Sequence, residues 1–208
     1  MWTSTDPAGQ FWNSYSYTGG NPINGIDPNG LETYYNSDGS FNGVMAIQDY
    51  DDPSMFMVGD GGGLSFLGEM GGNVNVTAMY DQMLLSNGAL AEGMHPIDVY
   101  NAVKTGGMWD FKNISGHLFS SDNAGNYQLQ YRFENWDFDD FGNHHFGYVT
   151  QKNGWNLVIS QMGAGAVQFK RGLINGDYPV PWGFWKTYFD DPRDSKMIGR
   201  GHVDAMHN

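Results

Sequence analysis

Residues 118–133 read LFSSDNAGNYQLQYRF, and their pattern decides the class of fold. Tyr127, Leu129, Tyr131 and Phe133 alternate with polar residues, the period of a half-buried strand. Asp122-Asn123-Ala124-Gly125-Asn126 before them is turn chemistry, so Leu118–Phe133 is predicted to be a β-hairpin. Toward the N-terminus the period changes. Across Asn73–Ser86, the residues Val76, Met79, Tyr80, Met83 and Leu84 recur at three- and four-residue spacing, which is one apolar stripe of a helix. A second helix is predicted from His95-Pro96 to Lys104, with proline in its first turn and Gly106-Gly107 beyond its end. Trp155–Arg171 is apolar enough for a buried helix, in which Gly163 and Gly165 permit close packing. A short terminal helix, Asp194–Met206, opens after Asp190-Asp191-Pro192-Arg193. Short strands and a hairpin with about four helices make the expected class α+β.

Further strands are predicted upstream. Thr33–Asn36 and Val44–Ile47 flank the turn Ser37-Asp38-Gly39-Ser40, and Met55–Val58 follows Asp52-Pro53. Gly59-Asp60-Gly61-Gly62-Gly63 lacks both the lysine and the spacing of a phosphate loop and reads as a flexible loop. Asp49, Asp51 and Asp52 lack EF-hand spacing and read as a solvated acidic turn.

Composition narrows the function. The chain has 208 residues, of which 40% are hydrophobic, enough to bury a core without a disulfide or structural metal. No cysteine is present, which excludes a thiol nucleophile and a thiolate zinc site. No run of 18 apolar residues exists, so no membrane span is expected. Met1–Pro7 lacks the basic and apolar regions of a signal peptide, so export is expected to use another route. The net charge of −13 opposes nucleic acid, whose phosphates favour a basic face, and suits an uncharged, cationic or basic-protein target.

Residues 1–31 read MWTSTDPAGQFWNSYSYTGGNPINGIDPNGL. Asp6-Pro7-Ala8-Gly9, Gly19-Gly20-Asn21-Pro22 and Asp27-Pro28-Asn29-Gly30 are turns between short aromatic runs, a fragment that cannot bury its own apolar face. The pattern DPxGQ…GNPI..IDPNG resembles the end of the Rhs repeat-associated core. That resemblance implies a shell, or cocoon, around a variable C-terminal toxin. Residues 1–31 are then a core remnant or linker, and residues 32–208 the effector domain.

Three polar segments in aromatic surroundings follow: Trp109-Asp110-Phe111-Lys112, then Glu134–Tyr148, then Asp190-Asp191-Pro192-Arg193-Asp194. Their order resembles the polymorphic toxin type 44 family, whose pattern is W-D-[FY]-K, then D-F-G-N-aromatic/His-x-[FY]-G, then D-D-P-R-D before a short helix. The likeness spans roughly residues 96–202. It departs at His144-His145, and at Tyr148–Asn153 where the family has a helix start of small residues; the role of His145 therefore stays open.

Carboxylates among aromatic rings lose hydration, which favours the protonated acid, while one in a polar setting stays ionised as base or nucleophile. On that logic Asp110, Asp137 and Asp140 are the catalytic candidates, with His145 as an alternative base. Lys112 and Arg193 are placed to stabilise developing negative charge, and Asn143 to orient a substrate or water. Trp109, Trp136 and Tyr148 are candidate substrate-binding rings. The alternatives stand beside these roles: Asp190–Asp194 as a helix cap, Asp110 and Lys112 as an ion pair, Asp139 on a solvated face. Asp140-Phe141-Gly142-Asn143 reads as a turn, and His144-His145 as extended, with the two rings on opposite sides; no metal or other cofactor is expected.

The family resemblance implies a secreted effector used against competing bacteria and neutralised by a cognate immunity protein. Carboxylate-rich motifs and the acidic charge favour a peptidoglycan hydrolase acting in the target periplasm. The alternatives are an RNase acting in the cytoplasm through His145 with Lys112 or Arg193, and a non-enzymatic binding module.

Overall fold

A computed structural model of the protein describes residues 33–42, 54–164 and 191–207. The segment 1–31, the predicted strand Val44–Ile47 and the predicted acidic turn at Asp49–Asp52 lie outside the described residues, as does the end of the predicted helix Trp155–Arg171. The described chain is α+β, with five helices and two small mixed sheets of three strands each. It divides into two compact units. One holds residues up to Met83 together with Phe111–Phe138; the other holds Leu84–Asp110 and the chain from Asp139 onward.

The first unit contains both sheets. β1 (Thr33–Asn36) pairs in parallel with β2 (Ser54–Val58), which pairs antiparallel with β3 (Leu64–Glu69). The loop between β2 and β3 is the glycine cluster, closed by Gly59 N–H donating to the Gly63 carbonyl at 2.8 Å. β4 (Asn73–Asn75) pairs in parallel with β5 (Gln128–Tyr131), which pairs antiparallel with β6 (Glu134–Trp136).

The expected hairpin is displaced by one element. Leu118–Ser120 is not a strand: the Tyr127 hydroxyl donates to the Leu118 carbonyl at 2.9 Å, and Asn123 Nδ2 to the His117 carbonyl at 2.9 Å. Side chains there occupy the acceptors that a strand partner would otherwise take. The true hairpin turns at Arg132-Phe133. Its apolar anchor is a set of edge-to-face rings: Tyr80 against Tyr131 at 5.1 Å, Tyr80 against Phe119 at 5.5 Å, and Tyr131 against Trp136 at 4.7 Å.

Gly39 (φ +80°) brings the β1 turn so close to the His117 ring that a Cβ would stand 2.7 Å from Cε1. His117 Nδ1 accepts from Phe119 N–H at 3.2 Å, so Nε2 carries the proton and donates to the Asp38 carbonyl at 3.0 Å. Burial pushes this imidazole down to about 4. Burial likewise pushes the Tyr35 phenol up to about 12 and raises that of Tyr127.

The second unit is helical. α1 (Thr77–Gly93) begins in the first unit and ends in this one, later at both ends than the predicted Asn73–Ser86. Asn73-Val74-Asn75 is a strand instead, because alternation buries Val74 against β5 and leaves its neighbours exposed. α2 (Pro96–Val103) starts as expected, with proline in its first turn and His95 Nδ1 accepting from Ile97 N–H at 3.3 Å.

α3 (Phe138–Lys152) corrects the reading of Asp140–Asn143 as a turn and of His144-His145 as extended. Asp139 and Asp140 in its first turn and Lys152 in its last complement the helix dipole. Phe141, His144, His145 and Tyr148 are all buried at helical spacing. A helical run over 157–164, numbered α4, keeps Ser160 buried but leaves Leu157, Val158, Ile159 and Met162 partly exposed, unlike the buried helix expected there. α5 (Pro192–His207) is capped by Asp191, whose Oδ1 accepts from Arg193 N–H at 2.8 Å.

Candidate functional site

α3 is the hub of the second unit, and two small residues set how closely α5 approaches it. A Cβ on Gly147 would overlap the Ile198 carbonyl, and a Cβ on Gly201 would overlap the His144 carbonyl. The backbones therefore pass nearer than any larger residue permits. This approach puts the first turn of α5 beside the first turn of α3.

There Arg193 meets Asp140. Nε donates to Oδ1 at 2.9 Å and Nη2 to Oδ2 at 2.6 Å, the planar fork that a guanidinium and a carboxylate share. The Asp140 side chain is 5% exposed and that of Arg193 57% exposed, so the pair presents its cation to solvent. Further along the same helices His144 Nε2 lies 3.3 Å from Asp204 Oδ2.

His145 belongs to another face of α3. It follows Asp140 by five residues, about 140° around the helix axis. Its Nε2 is 3.1 Å from Asn87 Nδ2 of α1, and Trp109 packs edge-on to its ring at 5.5 Å. Asp110 turns back on its own loop, where Oδ2 accepts from Gly106 N–H at 2.8 Å. The structure thus brings Asp140 together with Arg193, and His145 together with Trp109 and Asn87. It does not bring Asp140 and His145 to one wall.

The remaining candidates are scattered. Asn143 is half-buried on α3. Tyr148 is fully buried, packed so that a Cβ on Gly88 would stand 2.7 Å from its Cε1. Trp109 and Trp136 are buried as well, and Trp136 Nε1 donates to Glu134 Oε2 at 3.2 Å. With 4% and 3% exposure, neither indole offers a face on which a sugar can stack. Asp137, Lys112 and Trp136 belong to the first unit. Asp137 is exposed immediately before α3, and Lys112 sits in a 3-10 turn whose carbonyl accepts from the Ser121 hydroxyl at 2.9 Å. An open depression of about 510 Å³ in the first unit is lined by Gly71, Gly72, Asn73, Gly125, Tyr127 and Gln128, and it includes none of the candidates.

Sequence reading missed a buried polar chain across α3, α4 and α5. His202 Nε2 is 2.9 Å from Ser160 Oγ, Ser160 Oγ is 2.9 Å from Thr150 Oγ1, and Thr150 Oγ1 donates to the Phe146 carbonyl at 2.7 Å. Burial lowers the His202 imidazole below its ordinary value. No motif signals this chain in the sequence; it becomes legible only once α3 is recognised as a helix that carries Thr150 inward.

Among the described residues no group of His, Cys, Asp and Glu is arranged to hold a metal ion, and no helix is long and apolar enough to cross a membrane. No family model, no curated protein and no solved structure matches the chain.

Proposed function

We propose that this chain is the effector end of an Rhs-type polymorphic toxin, a secreted antibacterial hydrolase that attacks peptidoglycan in the periplasm of a target cell. The observation that carries the reading is convergence. Three motif segments far apart in sequence meet α3, on two of its faces: Trp109 against His145 and Arg193 against Asp140. Of these contacts the Arg193–Asp140 pair is the one that presents a charged group to solvent, where substrate can meet it.

Of the candidates, Asp140 and Arg193 form the working pair. The half-exposed guanidinium meets substrate first and suits the carboxylates of a peptide stem, while the Asp140 carboxylate is held in a fixed orientation to take a proton from attacking water. Asn143, one turn beyond Asp140 on α3, is available to orient that water. The surplus of 23 acidic over 10 basic residues argues against RNA, and a cognate immunity protein is the partner this function requires.

The test is expression of the chain in bacteria with and without a periplasmic leader, followed by digestion of purified sacculi. Lysis only with the leader, lost in Asp140→Asn and in Arg193→Gln, supports the reading. Killing only from the cytoplasm, with loss of RNA, replaces it with the ribonuclease reading.

A further inference from the structure

The tip of the β5–β6 hairpin breaks a local rule twice. Tyr131 pairs with Glu134, leaving a two-residue turn, Arg132-Phe133, with φ of 49° and 67°. Two successive positive φ values define a type I′ turn, whose favoured occupants are Asn and Gly. Here the positions hold Arg and Phe, side chains for which the left-handed region is strained.

Arg132 is compensated. Its N–H donates to Thr77 Oγ1 at 2.9 Å, its guanidinium meets Asp81 at 3.1 Å, and it stacks on the Tyr131 ring at 4.8 Å. Phe133 is not compensated by burial, since it is 99% exposed. An aromatic ring in a strained turn, entirely in water, adds nothing to the fold that carries it. Strain without a folding gain is the mark of a position kept for binding.

From this we propose that Phe133 is the anchor by which the first unit docks into an apolar pocket on a basic protein partner. Within the described residues of that unit, seven carboxylates stand against two cations, Lys112 and Arg132; Glu134 follows the tip directly, and Asp81 lies 3.1 Å from the Arg132 guanidinium. A pocket rimmed by Lys and Arg complements that field, and an aromatic anchor seated in such a pocket carries much of an interface's affinity. The same negative field opposes insertion of the ring into an anionic bilayer. Resting on the toxin reading above, the partner is the neutralising protein that a producing cell needs in order to survive its own effector.

The experiment measures binding of the full chain to its co-encoded neutralising protein, with wild type, Phe133→Asn and Phe133→Trp compared at low and high salt. Phe133→Asn is expected to weaken binding by about tenfold or more while raising Tm by about 2–4 °C, since Asn suits the turn. Phe133→Trp is expected to hold affinity within about threefold, and binding to weaken as salt rises. Cells that carry the Asn variant with the neutralising protein are then expected to die. Unchanged affinity in Phe133→Asn, or affinity insensitive to salt, overturns the proposal; loss of affinity for anionic vesicles instead assigns the tip to membranes and also overturns it. A wild-type chain that harms no bacterium sinks the toxin reading itself, a separate outcome read without any Phe133 variant.

Discussion

Arg193 holds Asp140 through both carboxylate oxygens, yet the two residues live in different environments: the aspartate side chain is 5% exposed and the arginine 57%. The pair is therefore asymmetric under mutation. Asp140→Asn leaves a cation that water can solvate, whereas Arg193→Ala strips a buried anion of two charge-assisted hydrogen bonds.

The expected outcome is that Arg193→Ala lowers unfolding free energy by about 2 kcal/mol and Asp140→Asn by about half as much. Urea unfolding of the two variants and wild type measures this. Arg193→Lys is expected to lie near Arg193→Ala, because an ammonium cannot donate both bonds of the fork. Equal destabilisation by Asp140→Asn and Arg193→Ala counts against the asymmetry.

Two glycines of α3 predict opposite signs. Gly142 has open space where a Cβ would go, so Gly142→Ala gains helix propensity and stabilises by roughly 0.5–1 kcal/mol. Gly147 faces the Ile198 carbonyl, so Gly147→Ala forces α5 away from α3 and destabilises by about 2 kcal/mol or more. Thermal unfolding of both variants checks the pair. A stabilised Gly147→Ala shows that the close approach of the helices is not what the protein depends on.

The same glycines explain why α3 was not legible in the sequence. Asp140-Phe141-Gly142-Asn143 carries the residues of a turn, and two glycines in ten positions lower helix propensity. The stripe Phe141, His144, His145 and Tyr148 is nonetheless helical in spacing; it stays hidden when histidine is counted as polar. By contrast, α2 and α5 were legible because each opens with proline in the first turn behind a capping side chain. For the site, the sequence pointed to Asp140 and Arg193 separately, but only the α3–α5 crossing makes them a pair. Trp109 and Trp136 misled in the other direction: indole content says nothing of whether a ring lines the surface or the core, and here both are buried.

Acid is expected to destabilise the protein through its buried imidazoles. His117 is held down to about 4 in the folded state against an ordinary value near 6.5, and His202 is lowered as well, in both cases by burial. Between those values the unfolded chain binds more protons than the folded one, so stability rises with pH across the window and falls as pH drops from about 6.5 to 4. For His117 alone the full loss is on the order of 3 kcal/mol. Unfolding measured at intervals from pH 4 to 8 is expected to show this slope in wild type. His117→Gln, which keeps polar character without a titrating ring, is expected to flatten it while lowering stability at pH 8. A variant with the wild-type slope removes His117 as the cause.

The Ser160–His202 contact, at 2.9 Å, has the spacing of a nucleophile and its base, and the proton count decides against that role. Thr150 has one hydroxyl proton and donates it to the Phe146 carbonyl at 2.7 Å; Ser160 then donates its own to Thr150 Oγ1 at 2.9 Å. With the hydroxyl protons in this order His202 Nε2 is the donor to Ser160, and a nitrogen that already bears a proton does not take one from the serine. Both side chains are buried, Ser160 entirely, so the chain of hydrogen bonds ties α3, α4 and α5 together. Ser160→Ala is expected to lower stability by about 1–2 kcal/mol, through the buried His202 N–H left without its acceptor. A fluorophosphonate probe, which reports nucleophilic serines, is expected to leave the protein unlabelled. Labelling that disappears in Ser160→Ala moves the proposed chemistry from the Asp140–Arg193 pair to the serine.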